Sequence, residues 1–287
     1  MPLPDFVIIG AMKCGTSSLH AQLAAQDGFL MSEPKEPNFF SDDDVFARGL
    51  DWYRSLFRGG EGVLKGESST HYTKRPTYPA CFERLSAALP EARFIYVMRD
   101  PLDRLVSHYI HEWTMGNVKG ALTEEIETRR ELIDYGRYAY QLEPYLDHYG
   151  KERILPVFFE RMKADPQGEL SRIGAFLGAE RPLAWRDDIS PQNVSKDRLR
   201  KIPMSGLLID NAPARALRRA LAPQGLRDWV KSRLQMRERP SLSEDNLKRV
   251  KPVFDEDLGA LGAMLGVGLD CDAYRETVTG RSLDWAR

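Results

Sequence analysis

The sequence has too few cysteines for a disulfide framework. Its 287 residues include three, Cys14, Cys81 and Cys271, which lie far apart and form no CxxC pair. A small secreted scaffold carries an even and closely spaced set instead. The cysteine content therefore favours a reducing compartment.

The sequence also lacks an excess of charge of either sign and any long apolar run. Lysine and arginine number 41 against 42 aspartate and glutamate residues, which gives a net charge of −1. This balance provides no general attraction to nucleic acid or to an anionic membrane. The first residues lead directly into the short apolar run Phe6–Ile9, without the basic and apolar segments of a signal peptide. We expect a soluble cytoplasmic protein that has no membrane span and binds anions only at local sites.

What the sequence does contain is an alternation of short β-branched runs with segments of helical periodicity. The predicted strands are Phe6–Ile9, Val63–Gly66, Arg93–Met98 and Ile154–Phe159, and the predicted helices are Ser17–Gln26, Pro79–Leu89, Leu102–Trp113, Tyr138–Tyr149 and Gln167–Leu177. Such alternation predicts an α/β fold with a parallel β-sheet flanked by helices.

The length and composition favour one domain over residues 1–287. With 42% hydrophobic residues the chain can bury a full core. Residues 1–180 are expected to form the α/β nucleotide-binding core. After residue 181 a polar loop precedes a mainly helical C-terminal part, in which Pro213, Pro223 and Pro240 separate successive helices.

A glycine-containing turn joins the first strand to the first helix. It runs from Gly10 through Lys13 and Gly15 to Ser18, where backbone N–H groups and the helix dipole attract a phosphate. Lys13 adds a positive charge, and the hydroxyls that follow Gly15 are expected to cap the helix and donate to the anion. In the nucleoside triphosphate P-loop the lysine follows the second glycine, whereas here Thr16 does. The turn predicts a phosphate site unlike that of an ATPase or kinase; an ordinary hydroxyl-capped turn is the alternative.

A second anion site is predicted where the strand Arg93–Met98 ends. Arg99 follows that strand, and Ser107 lies eight residues further along, inside the predicted helix. Ligands of open α/β sheets bind at this edge, so the two side chains can converge on one anion. Two alternatives compete with this interpretation. Asp100 resembles a magnesium-binding aspartate, although Arg99 beside it would repel the metal, or the two residues cap the helix and pair with each other.

Together the two segments resemble the family of sulfotransferases that use 3′-phosphoadenosine 5′-phosphosulfate (PAPS). Gly10–Leu19 is similar to the 5′-phosphosulfate loop of that family, and Arg99–Tyr109 is similar to its 3′-phosphate motif. Three further segments resemble its heparan sulfate branch and the bacterial relatives of that branch: Pro34–Phe40, Gly49–Tyr53 and Gly66–Tyr72. The resemblance implies a parallel-sheet fold akin to nucleotide kinases. It also implies transfer of a sulfuryl group from PAPS to a hydroxyl or amine of a small-molecule, lipid or glycan acceptor, leaving adenosine 3′,5′-bisphosphate (PAP).

The resemblance further implies roles for individual residues. Those assigned to the cofactor are Lys13, Cys14, Gly15, Thr16, Ser17, Ser18, Arg99, Ser107 and Arg200, the last in a loop, Gln192–Pro203, that resembles the cofactor-covering segment. Lys13 would act on the leaving phosphate, and Lys35 would assist at the sulfuryl group. Glu67, which follows the strand Val63–Gly66, would be the general base. A helix N-terminus would lower the pKa of the Cys14 thiol, but we interpret Cys14 as a packing residue, because the chemistry of the loop is explained without a thiolate. No metal is expected, because the sulfuryl group carries less charge than a phosphoryl group.

Several roles stay open at this stage. His71 is a rival base, and a second set of residues either lines an acceptor pocket or packs in the core: Trp52, Tyr53, Trp113, Tyr138 and Gln141. The loop Gln192–Pro203 is either a cofactor cover or a solvated basic loop. A magnesium-dependent nucleotide kinase and a non-catalytic nucleotide-binding protein are the alternative functions.

Overall fold

A five-stranded parallel β-sheet forms the centre of the fold. The computed structural model describes residues 3–59, 61–189, 236 and 238–286. Its strands are β1 (Phe6–Gly10), β2 (Phe29–Met31), β3 (Leu64–Ser68), β4 (Arg93–Met98) and β5 (Ile154–Phe158), in the order β2-β3-β1-β4-β5. Every neighbouring pair is parallel, as predicted.

Helices cover the sheet and extend from it. In chain order they are α1 (Thr16–Ala24), α2 (Asp43–Phe46), α3 (Leu50–Ser55), α4 (Cys81–Ala88), α5 (Pro101–Met115), α6 (Leu122–Thr128), α7 (Glu131–Asp134), α8 (Tyr138–Tyr149), α9 (Phe159–Ala164), α10 (Pro166–Leu177), α11 (Glu244–Leu265) and α12 (Tyr274–Gly280). All five residues of β1 are buried, as the central position of that strand requires. The predicted α/β class is therefore confirmed.

The strand order brings three carboxyl ends together. After β1 the chain moves outward to β2, returns to β3, and then crosses β1 to reach β4. The residues that leave β1, β3 and β4 consequently meet at one edge, which is where open α/β sheets bind their ligands.

Most of the predicted element ends shift by one or two residues, and five helices were not predicted: α2, α3, α6, α7 and α9. β3 runs from Leu64 to Ser68, so Glu67 lies inside the strand instead of after Gly66. The edge strand β2 was not predicted, because its three residues are too few to show alternation. Of the C-terminal part, α11 is one helix of 22 residues that continues through Pro252. Pro213 and Pro223 lie outside the described residues.

The C-terminal helices pack on the α/β core through specific contacts. The Asp257 carboxylate of α11 accepts hydrogen bonds from the backbone N–H groups of Ala139 and Tyr140, at the first turn of α8. A carboxylate at this position satisfies N–H groups that have no intrahelical acceptor. Among the helices that the structure describes, none has the length and apolar character needed to cross a membrane.

Candidate active site

The phosphate turn predicted from the sequence is built around two residues with positive φ angles. Lys13 has φ 71° and Gly15 has φ 91°, and α1 begins directly after Gly15. A Cβ atom on Gly15 would lie 2.7 Å from the Phe159 ring, so glycine is required there for both conformation and space. The turn therefore presents the N-terminus of a nine-residue helix at the carboxyl end of β1.

The hydroxyls behind Gly15 do not cap this helix as expected. Gly15 itself is the N-cap residue and no side-chain cap is made, so Thr16, Ser17 and Ser18 are the first three helical residues. The Ser18 N–H donates to the Gly15 carbonyl at 3.0 Å, whereas the N–H groups at the very start of a helix have no intrahelical acceptors, so an anion can accept from them. The turn is thus open to an anion through its backbone as well as through Lys13.

Cys14 is directed into the core. Its Sγ atom lies 3.7 Å from the Tyr138 hydroxyl, and its backbone N–H donates to the Ala11 carbonyl within the turn. Burial raises the pKa of the thiol to about 11, opposite in direction to the effect expected of a helix N-terminus. Removal of the sulfur from water outweighs the lowering effects of Arg104, the Tyr138 hydroxyl and Arg99, in agreement with a packing role for Cys14.

Arg99 lies beside the phosphate turn. One guanidinium nitrogen, Nη1, donates to the Lys13 carbonyl oxygen at 3.5 Å, and the guanidinium carbon lies 5.0 Å from the centre of the Phe159 ring. The Tyr138 hydroxyl donates to the Arg99 carbonyl at 2.5 Å and accepts from its N–H at 3.2 Å. The two anion sites predicted from the sequence consequently share one edge of the sheet.

Asp100 is already committed to protein contacts. Its Oδ1 accepts from the Asp103 N–H at the start of α5, and its Oδ2 accepts from Arg275 Nε at 2.8 Å. Arg99 pairs with Asp103 at 3.3 Å instead of with Asp100. The capping alternative is thus correct for Asp100 alone, and the arginine contact makes a magnesium site at Asp100 unfavourable.

Ser107 lies one turn after Asp103 on α5 and is almost completely buried, with 3% of its surface exposed. Residues four apart lie on the same face of a helix. Ser107 therefore lies on the same face of α5 as Asp103, which is the ion-pair partner of Arg99.

Glu67 lies within β3 with no exposed surface. Neither carboxyl oxygen has a hydrogen-bond partner of standard geometry among the described residues. Burial raises the pKa of Glu67 to about 8, although the phenols of Tyr72 and Tyr53 are close enough to oppose that rise. The main cause of this raised pKa is the removal of the carboxyl group from water.

Lys35 and Glu36 form an ion pair that affects the pKa values of two other groups of the site. The Lys35 ammonium donates to Glu36 Oε1 at 2.5 Å, and both side chains are partly exposed. Burial, and after it the charge of Lys35, lowers the pKa of His20 on α1 to about 4, while Glu36 contributes to the raised pKa of Glu67. The pair therefore lies within electrostatic reach of both α1 and β3.

Two other groups surround Glu36. The His71 ring stacks on Tyr78 with 4.6 Å between ring centres, and burial together with the Lys74 charge lowers its pKa to about 4. Lys74 itself is only 8% exposed, and burial lowers its pKa to about 8. Because an imidazole with a pKa of about 4 is a weak proton acceptor, His71 is a weaker candidate for the base than Glu67.

Most residues considered for the acceptor pocket belong to the core. Tyr53, Tyr138 and Gln141 have no exposed surface. The Gln141 amide is committed to the backbone, since it donates to the carbonyls of Arg75 and Asp134 and accepts from the Arg75 N–H. Packing therefore explains these three positions. The predicted cofactor-covering loop, with Arg200, lies outside the described residues.

The site contains contacts between side chains for which the sequence indicated no such role. His20 Nδ1 lies 2.8 Å from the Ser68 hydroxyl, which joins α1 to the end of β3. Tyr138 orients Arg99, and Glu36 holds Lys35. A long sequence separation hides the first two contacts, whereas Glu36, beside a predicted catalytic lysine, was visible but had no assigned role.

Comparison with known proteins identifies the family. A model described as a sulfotransferase domain matches residues 3–262. Heparan sulfate glucosamine 3-O-sulfotransferase 3A1 of Mus musculus is 35% identical over 217 residues, which are 71% of this chain and 53% of that protein. The 3B1 enzyme of Homo sapiens is 34% identical over 189 residues, 62% of this chain and 47% of the enzyme. The chain thus spans about half the length of these curated relatives.

A solved structure supports the fold. A sulfotransferase from Alicyclobacillus acidocaldarius has 24% sequence identity and a TM-score of 0.66, over 96% of this chain and 100% of that one. The kinase-like parallel-sheet fold implied by the resemblance is confirmed, and the family match makes a nucleotide kinase an unsuitable alternative. The predicted relationship to PAPS-dependent enzymes holds, and the chain belongs to the sulfotransferase domain family.

Proposed function

We propose that this chain transfers a sulfuryl group from PAPS to a hydroxyl or amine of an acceptor. One observation carries the proposal: the Arg99 guanidinium contacts the Lys13 carbonyl, so two cationic anion sites lie side by side. A single nucleotide with separate 5′ and 3′ phosphates suits such a pair. A nucleoside triphosphate, whose phosphates are consecutive, does not need the second site.

The residues of the edge fit the two ends of this nucleotide. Lys13, with Gly15, Thr16, Ser17 and Ser18 at the first turn of α1, would hold the 5′-phosphosulfate. Arg99 and Ser107 would hold the 3′-phosphate. Arg99 Nε is buried without a hydrogen-bond partner among the described residues, so this donor is available to a ligand. Cys14 would contribute by packing beneath the turn.

Glu67 is our candidate for the general base. The acceptor oxygen or nitrogen would form a bond to sulfur while the bond from sulfur to the bridging oxygen of PAPS breaks, and the acceptor proton would pass to the Glu67 carboxylate. Lys13 and Lys35 would stabilise the charge on the leaving and transferred groups, and PAP would remain. No metal takes part in this scheme. The raised pKa of Glu67 supports it, because a carboxyl group of ordinary pKa is a poor proton acceptor.

The range of acceptors proposed for this chain is broader than the acceptor named for its relatives. Those named above act on glucosamine of heparan sulfate, a glycan. For this chain we propose a small-molecule, lipid or glycan acceptor with a hydroxyl or amine group. The cytoplasmic location and the single-domain organisation stay predictions.

The proposal is tested with ³⁵S-labelled PAPS and pooled hydroxyl and amine acceptors. We expect transfer by the native protein, its loss in Glu67→Gln with PAP binding retained, and weaker PAP binding in Lys13→Ala. The exposed residue Glu83 provides a control, since Glu83→Gln should transfer normally. Native transfer rates in Glu67→Gln would remove the base assignment.

The two alternative functions give different results. A non-catalytic nucleotide-binding protein would bind PAP and transfer no label, whereas a kinase would require ATP and Mg²⁺ and ignore PAPS. Failure of the native protein to bind PAP would contradict the proposed function itself.

A further inference from the structure

Three arginines surround two carboxylates beside the proposed 3′-phosphate site. Asp103 Oδ2 accepts from Arg99 Nη2 at 3.3 Å and from Arg275 Nη2 at 2.5 Å, and Asp103 Oδ1 accepts from Arg239 Nη2 at 3.0 Å. Arg275 Nε also donates to Asp100 Oδ2 at 2.8 Å. Arg99 comes from the end of β4, whereas Arg275 comes from α12, near the end of the chain.

The charges of this cluster decide whether a phosphate can bind there. Arg99 alone beside Asp100 and Asp103 would leave a net charge of about −1, which repels a phosphate. Arg239 and Arg275 change that sum to about +1. Burial would raise the pKa of Asp103, but the charges of Arg99, Arg275 and Arg239 outweigh it and lower the pKa. The carboxylate is therefore ionised and needs these counter-charges.

Glu160 adds further negative charge around Arg99, which more cations must balance before a phosphate can bind. Its carboxylate accepts from the Asp100 N–H at 3.0 Å and interacts electrostatically with Arg99. Burial raises the pKa of Glu160. When it ionises, Glu160 becomes a third carboxylate in the surroundings of Arg99.

We propose that Arg275 is a positioning residue for the 3′-phosphate site, which neutralises Asp100 and Asp103 so that the Arg99 guanidinium is free to bind phosphate. This inference rests on the proposed function. Arg275 contacts both carboxylates, whereas Arg239 contacts Asp103 alone. Arg275 lies beyond residue 262, where the family match ends.

The position of Arg275 is fixed by the helix that carries it. Tyr274 and Val278 of α12 have no exposed surface, and the Arg161 guanidinium of α9 donates to the Thr279 carbonyl at 3.0 Å. A side chain that begins on such an anchored helix loses less freedom when it orders its ion pairs than one on a loose segment.

The test compares two nucleotides that differ only in the 3′-phosphate. Calorimetric titration with PAP and with adenosine 5′-monophosphate gives the ratio of their affinities for each variant. We expect Arg275→Gln to lower that ratio about tenfold, equivalent to about 1.4 kcal/mol, with the affinity for the monophosphate unchanged within about twofold. Arg275→Lys keeps the charge but replaces the guanidinium that contacts both carboxylates with a single ammonium, so the ratio should fall only about threefold, less than in Arg275→Gln.

The control and the contrary outcomes are specific. Arg249 on α11 is exposed to a similar extent, with 52% against 59% for Arg275, and its pair with Glu127 lies elsewhere, so Arg249→Gln should leave the ratio unchanged. An equal fall in both affinities for Arg275→Gln, or a loss in Arg275→Lys as large as in Arg275→Gln, overturns the inference.

A double-mutant cycle tests whether Arg275 acts by neutralising the Asp103 carboxylate. If Arg275 acts by neutralising Asp103, then Arg275→Gln should cost less than about threefold in an Asp103→Asn background. A full tenfold loss in that background refutes the route. If the native protein binds PAP no better than the monophosphate, the proposed function fails and this inference fails with it; a native preference that Arg275→Gln leaves intact refutes the inference alone.

Discussion

The burial of Glu67 makes the stability of the protein depend on pH. Its pKa of about 8 in the folded chain, against 4.5 for the ordinary group, means that the folded state keeps a proton that the unfolded state has lost. A raised pKa stabilises the fold fully below the unfolded value, and that stabilisation is lost as pH rises through the folded value. Each pH unit in this window costs about 1.4 kcal/mol. From pH 6 to pH 9 the free energy of unfolding should fall by about 3 kcal/mol relative to Glu67→Gln, whose amide does not ionise.

Urea unfolding of both proteins across this pH range measures the difference. The comparison cancels every other titrating group, and Glu83→Gln, at an exposed position, should show no such divergence. The rate of sulfuryl transfer should change in the opposite direction, rising with pH towards 8, because only ionised Glu67 accepts a proton. Parallel stability curves for the native protein and Glu67→Gln would refute the desolvation argument.

Three more predictions follow from the geometry of the site. Gly15→Ala should destabilise the protein by about 1–3 kcal/mol in thermal unfolding, since its new Cβ atom meets the Phe159 ring, whereas Gly28→Ala, also at positive φ but with no atom within 4 Å, should cost less; equal costs would contradict the steric argument. Tyr138→Phe should weaken PAP binding several-fold in calorimetry, because the two hydrogen bonds that orient the Arg99 backbone are lost, and an unchanged affinity would show that they do not orient it. All three cysteines are buried, so a thiol reagent at pH 8 should label them only after unfolding, and rapid labelling of the native protein would contradict their burial.

The parts of the site predicted from the sequence are those determined by neighbouring residues. Gly15 begins α1 because its φ angle of 91° and its contact with Phe159 exclude a side chain, and the spacing from Lys13 to Ser18 already indicated such a turn. Arg99 follows β4 directly, so the end of that strand determines its place. Strand β4 and helix α8 have the predicted bounds, because each shows a clear periodicity over its full length.

The parts that the sequence did not predict depend on contacts between distant residues. Tyr138 reaches Arg99 over 39 positions, and Arg275 reaches Asp100 over 175. Periodicity and motif spacing describe residues within one or two elements, so they contain no information on such pairs. The raised pKa of Cys14 has the same origin, since the burial of its thiol against Tyr138 depends on tertiary packing.

This division between local and distant contacts has a consequence for nucleotide affinity. The groups that would touch the two phosphates, Lys13 and Arg99, belong to motifs whose geometry the chain determines locally. The charges that balance Asp103 come from Arg239 and Arg275, outside those motifs. Because a cation at the edge of an anion site changes its affinity without altering its shape, proteins with identical motifs can differ in affinity for the 3′-phosphate. If Arg275 acts as proposed, helix α12 contributes charge to the proposed 3′-phosphate site, and proteins that share the two motifs should differ in nucleotide affinity where that charge differs.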